Sequence, residues 1–192
     1  MDRTTCEQIV DATKRLVLHQ DFGQVSAVPI RKEAGISRQT FYDYFHDKYD
    51  VLAWIYQNDV QKITVNAKYQ DWQTILKQML AYFERERTLY QKMFQITGQN
   101  APDQVIHDHL MDLICSIFND LRDRKVLMVH TNYCDFVRDL LSTATANEVK
   151  SWILSSHPRS LKQETEMLEI YIEDGINGLL LRLKQVYPER VR

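Results

Sequence analysis

The 192-residue chain has five glycines and four prolines, few of the residues that make repeated tight turns. Architectures built from many short strands depend on such turns, and long helices do not. Cysteine is scarce too. Cys6, Cys115 and Cys134 are odd in number and widely spaced, which argues against a disulfide framework and for a reducing interior. No apolar run approaches the roughly 18 residues of a membrane span, and the polar start MDRTTCEQ is not a signal peptide. A large charge of one sign is also missing. The net charge is −2, which excludes a polycationic nucleic-acid coat. These absences predict a soluble, cytoplasmic, all-α protein that does not engage a membrane.

What is present is organised around Ser26–Lys48, SAVPIRKEAGISRQTFYDYFHDK. It reads as two short helices joined by a tight turn. Gly35 lies between them and can take positive φ to end the first helix without strain. Ser37 is a good N-cap for the second helix and Ser26 for the first. Pro29 falls in a first turn, where its missing N–H costs little. Ile30, Ala34, Phe41 and Phe45 share the spacing of a core face, with Ile36 in the turn. The opposite face carries Arg38, Gln39, Thr40, Tyr42 and, a turn later, Tyr44. Arg and Gln can pair with base edges, and Thr can bond a base or touch a thymine methyl. Tyrosine hydroxyls and Lys48 suit phosphate oxygens. This is the pattern of a helix-turn-helix whose second helix enters the major groove of duplex DNA.

Residues 1–50 hold seven Lys/Arg against eight Asp/Glu, a local charge of −1. DNA affinity per subunit should therefore be modest and salt-sensitive, with Arg31, Lys32, Arg38 and Lys48 supplying local positive potential. His46 stands beside these groups, able to face DNA or to pack on the next helix.

The remainder shows helical periods alone. A first helix is expected over Thr4–His19 and a fourth, capped by Asp47, over Lys48–Tyr69. Further helices follow over Trp72–Glu86, Leu89–Ile96, from Pro102 to the charged run at Arg122–Lys125, over Tyr133–Ser155 and over Ser160–Lys184. Residues 1–48 form one domain and 49–192 a second, joined through the fourth helix. The last two helices carry more apolar surface than one face needs, with small residues at 142–146, Gly175 and Gly178. A helical homodimer contact through them explains the excess and would present two reading helices to a two-fold symmetric site.

Other side chains give weaker leads. His107 and His109 diverge on a helix, and with Asp112 and Cys115 they make no compact set of three or four ligands, so no metal site, catalytic centre or cofactor is expected. Trp72, Met79, Phe83, Met93, Phe94, Met111 and Phe118 are the candidate lining of a small-molecule pocket, although most such residues serve as core.

The motif KEAGIS, then TFYDYF, then Asp47-Lys48 and Leu52 resembles the TetR family of bacterial transcription regulators. Residues 88–100, Arg38–Tyr42 and Trp54-Ile55 resemble its branch of DhaS-type coactivators of dihydroxyacetone kinase operons. The resemblance implies a homodimer that binds a palindromic operator and is released, or reoriented, by an unknown small-molecule effector in the C-terminal domain; the chain is read as a repressor with no enzymatic activity. It places Ser37, Arg38, Gln39, Thr40, Tyr42 and Tyr44 against DNA and Ser26, Val28 and Lys48 near its backbone. Pro29 and Arg31 stand where the family usually has an acidic residue and an alanine; Arg31 there adds a phosphate contact or a solvated charge. The rival readings are a coactivator working with a partner protein and a helical interaction module without DNA binding.

Overall fold

The structure, a computed structural model, describes residues 3–64, 71–96 and 102–191. Its elements are α1 (Arg3–His19), a 3-10 turn (Phe22–Gln24), α2 (Ala27–Glu33), α3 (Arg38–Tyr44), α4 (Lys48–Thr64), α5 (Trp72–Arg85), α6 (Arg87–Phe94), α7 (Pro102–Asp123), α8 (Asn132–Leu154) and α9 (Leu161–Val186). The all-α expectation holds: extended pairing among the described residues is confined to an isolated bridge between Leu127 and Val191. The expected ends of the fourth helix at Tyr69 and of the Leu89 helix at Thr97-Gly98 lie outside the described residues.

The chain forms two units. The first contains Met1–Lys62 and Glu86–Ile106. Helix α1 buries Cys6, Ile9, Val10, Ala12, Thr13, Leu16 and Val17 on one side, the i, i+3, i+4 stripe of an amphipathic helix. Thr13 satisfies its hydroxyl on the Ile9 carbonyl at 2.8 Å, and burial pushes the Cys6 thiol pKa up, leaving it an unreactive core filler. Helices α2 and α6 both pack on α1. Helix α4 starts where Asp47 Oδ1 accepts the N–H groups of Tyr49 (2.8 Å) and Asp50 (2.9 Å), donors that no earlier turn can satisfy. It buries Val51, Leu52, Ile55, Tyr56 and Val60. Tyr56 meets Tyr90 of α6 edge-on at 6.3 Å between centroids.

The second unit contains Ile63–Arg85 and His107–Arg192. Here α5, α8 and α9 pack on one another, and α7 buries Leu110, Leu113, Ile114, Ile117, Phe118 and Leu121. Thr131 caps α8 by accepting the Cys134 N–H at 3.2 Å. Ser160 and Gln163 form a reciprocal capping box at the start of α9. Between these helices, Trp152 Nε1 donates to the Arg159 carbonyl at 2.8 Å. The Arg159 guanidinium bonds the fully buried Glu164 at 2.8 Å and also Glu148. A carboxylate without water needs such a partner to stay charged. Gly175 lets α9 approach α8: a Cβ there would lie 2.6 Å from Leu141 Cδ2.

Candidate nucleic-acid interface

The turn between α2 and α3 follows from Gly35. Its φ is +68°, the left-handed region that a side chain disfavours. The Ile36 N–H donates to the Arg31 carbonyl at 3.0 Å and the Gly35 N–H to the Lys32 carbonyl at 3.2 Å. This pair of bonds is a Schellman closure of α2, and it satisfies carbonyls that the helix end would otherwise leave open. Ser26 occupies the N-cap position of α2 with extended backbone, but its side chain makes no capping bond, a correction to its expected role.

Ser37 does cap α3. Its Oγ accepts the Thr40 N–H at 3.0 Å and lies 2.8 Å from Thr40 Oγ1. The inner face then follows from the Phe41 and Phe45 spacing. Both rings are buried, as is Ile30 of α2. Phe45 meets Trp54 of α4 edge-on at 6.2 Å, which fixes the end of α3 to the helix behind it. Ala34, expected in the core, is half-buried.

The outer face of α3 is polar and open. Ser37, Arg38, Gln39 and Tyr42 are exposed, while Thr40 and Tyr44 are half-buried. The Arg38 guanidinium carbon sits over the Tyr42 ring, 5.7 Å from its centroid. Gln39 Nε2 donates to Asp43 Oδ1 at 2.8 Å, so its amide is held in place before any partner arrives. The i, i+4 spacing of Gln39 and Asp43 carries that signal in the sequence. His46 is exposed, its N–H donating to Asp50 Oδ2 at 3.0 Å. Ser26 and Val28, at the start of α2, are also exposed.

Two basic groups are less free than their spacing suggests. Arg31 is half-buried, and its Nε is shielded with no hydrogen bond among the described residues. Lys48 Nζ donates to the Phe22 carbonyl at 2.8 Å and lies 4.1 Å from the Phe22 ring centroid. No motif rule links positions 22 and 48; chain folding alone brings them together.

The predicted pocket lining divides between the units. Met93 and Phe94 are buried in the first. In the second, Met79, Phe83 and Phe118 are buried and Met111 is half-buried. Trp72 borders a cavity of about 370 Å³ that is also edged by Ile117, Asp120, Arg124 and Glu173. Among the described residues no three His, Cys, Asp or Glu side chains converge as a metal site, and no helix is long and apolar enough to cross a membrane.

Residues 9–54, which hold this reading head, match the family model described as bacterial regulatory proteins, tetR family. Residues 70–174 match a transcriptional regulator C-terminal region of the same family. The chain belongs to the TetR family. It is a transcription regulator and not an enzyme. A curated relative in Lactococcus lactis subsp. lactis (strain IL1403), the HTH-type dhaKLM operon transcriptional activator DhaS, is 38% identical over 111 residues. That match covers 52% of this chain and 59% of the activator, so it spans less than two thirds of the relative's length. The solved structure of a dihydroxyacetone kinase operon activator DhaS superposes with a TM-score of 0.71 at 24% identity, covering 90% of this chain and 96% of that one. The fatty acid degradation regulator FadR from Bacillus halodurans gives 0.62 at 18%, covering 91% and 96%. Thermus thermophilus FadR, a TetR-family repressor solved with lauroyl-CoA, gives 0.60 at 21%, covering 88% and 94%. At these identities the three structures establish a shared helical fold for this TetR-family chain.

Proposed function

We propose that this TetR-family regulator is a cytoplasmic homodimer that binds a palindromic operator through α2 and α3 and answers to a small-molecule effector held by residues 49–192. The observation that carries the reading is the outer face of α3. A capped helix, fixed from behind by Phe41 and Phe45, presents Arg38, Gln39 and Tyr42 to solvent. Such a face has the donors that major-groove edges accept. Ser37, Thr40 and Tyr44 complete it, and Ser26, Arg31, His46 and Lys48 flank it where phosphates run. In the leading form of this reading the bound dimer represses, and an effector that prefers the form with badly spaced reading heads releases it.

The test begins with selection of genomic fragments by the purified chain. Arg38→Ala and Tyr42→Ala should each weaken binding to the selected operator by about tenfold or more, the loss of roughly 1–3 kcal/mol of base recognition, while the oligomeric state is unchanged. Wild-type affinity in both variants would overturn the assignment of this face.

The 38% identity to an operon activator favours a second form, in which the same helix reads DNA but transcription is raised together with a partner protein. Transcription in a purified system that rises with the regulator and an added partner, and does not fall with the regulator alone, selects this form.

A further inference from the structure

The first unit contains a cavity of about 540 Å³ where the end of α1, the turn at 21–23, the start of α4 and the end of α6 meet. We infer that this cavity is a binding site for a small molecule carrying a phosphate monoester. It shares Lys48 with the proposed DNA interface, but nothing in the reading of the α3 face calls for it.

The chemistry begins with charge. Lys48 and Lys92 both border the cavity, and Asp21 is the single acid among its lining residues. One oxygen of Asp21 is already used, accepting the Gly23 N–H at 2.9 Å. Lys92 is half-buried, and its ammonium makes no ion pair or hydrogen bond among the described residues. Two lysines bordering one partly enclosed space favour an anion there, and an anion of two charges can answer both. A carboxylate brings one charge; a phosphate monoester approaches two.

The Lys48 ammonium is also placed before a ligand arrives. The Phe22 carbonyl takes one of its three N–H groups, and the rings of Phe22 and Tyr49 lie 4.1 and 5.4 Å away. The two rings meet edge-on at 5.4 Å and form a stiff apolar wall. A cation fixed in this way loses little side-chain freedom on binding. Gln20 and Gln95 add carboxamide donors at the exposed rim. The volume falls in the range of small-molecule sites, and the lining is more polar than apolar, as suits a charged ligand.

The test uses the full chain without DNA, so its outcome is separate from that of operator binding. The probe is glycerol 3-phosphate, with uncharged glycerol and acetate as comparisons, followed by calorimetry and by amide chemical shifts. Saturable binding at millimolar ligand is expected, with shifts at Phe22, Tyr49 and Gln95. Lys92→Gln should weaken it about tenfold or more, as expected for loss of a charge-assisted hydrogen bond, whereas Lys77→Gln, on the exposed side of α5, should leave it unchanged. Absence of saturable binding overturns the site. Equal binding of acetate overturns the phosphate class, equal binding of glycerol overturns the role of charge, and an unaltered affinity in Lys92→Gln overturns the placement.

Discussion

Gly35 has the clearest single-residue role. Beyond its own chain neighbours, no described atom lies within 4 Å of the position where its Cβ would stand, so an alanine there meets no clash and suffers through its φ of +68° alone. Gly35→Ala should destabilise the chain by about 1–2 kcal/mol, and Gly35→Asn by less, since asparagine tolerates the left-handed region better. Chemical denaturation measures both. A different mechanism operates at Arg159. Removing its guanidinium strands the buried Glu164 carboxylate, so Arg159→Ala should lower the melting temperature. Adding Glu164→Gln should recover part of the loss, because the charge that needed a partner is gone; additive losses would mean that the pair is not coupled. His109 supplies a pH dependence. Burial holds its imidazole below its ordinary pKa, against a weaker opposing pull from the Asp112 carboxylate. The unfolded chain then binds the proton more readily, so this contribution to stability is complete above about pH 6.5 and is lost as pH falls toward the folded value. His109→Gln should flatten the stability profile below that point. Residues such as Gly35, Ser37 and Phe41 were legible in the sequence because their roles depend on neighbours within four positions. The clamp of Lys48 on Phe22 was not, since 25 residues lie between the two positions and no local period records it.

At the scale of elements, helix positions were legible from apolar period and caps. Their ends shifted by a residue or two, and Ser26 holds its expected N-cap position without making the capping bond. Partnerships between helices were harder to read. The small residues of α8 and α9 announced close packing, and Gly175 delivers it within the chain, against Leu141. Outside the adjoining turns of its own helix, Gly178 has no described atom within 4 Å of its Cβ position and serves no such approach among the described residues. Composition marks where helices can draw near but not which of two candidate glycines they use. Gly175→Ala sets two effects against each other. Alanine favours a helix over glycine by about 1 kcal/mol, whereas forcing a methyl into packed Leu141 typically costs about 1–3 kcal/mol. Leu141 is buried and presents three of its atoms to the new methyl, so destabilisation should win. In a Leu141→Ala background the sign should reverse, because the methyl then enters the space that leucine left. A stability cycle of the four proteins decides it; a destabilising Gly175→Ala in both backgrounds would mean that the helix contact is not made through this pair.

For the whole molecule the open issue is why α8 and α9 keep apolar side chains in water after packing on each other. Phe136 and Leu140 on α8, and Met167, Ile170 and Leu181 on α9, each expose more than half of their surface. Single exposed apolar residues are ordinary, but a row on two adjoining helices marks an interaction face. In the proposed homodimer a second copy covers it: a two-fold contact buries the same row twice, and each large side chain taken fully from water contributes about 1.5–3 kcal/mol. The reading head adds a reason. With a charge of −1 over residues 1–50, one copy gains little from the phosphate backbone, whereas two copies joined rigidly add their contacts and favour a palindrome. Ile170→Glu places a carboxylate in each half of the proposed contact, where pairing would strip it of water. The variant should run as a monomer in sedimentation, retain its helical spectrum and bind the operator far more weakly than wild type. Its affinity for a single half-site should be nearly unchanged, because α3 is untouched. A monomeric variant that kept full operator affinity would separate dimerisation from DNA recognition, and a variant that stayed dimeric would move the contact off this face.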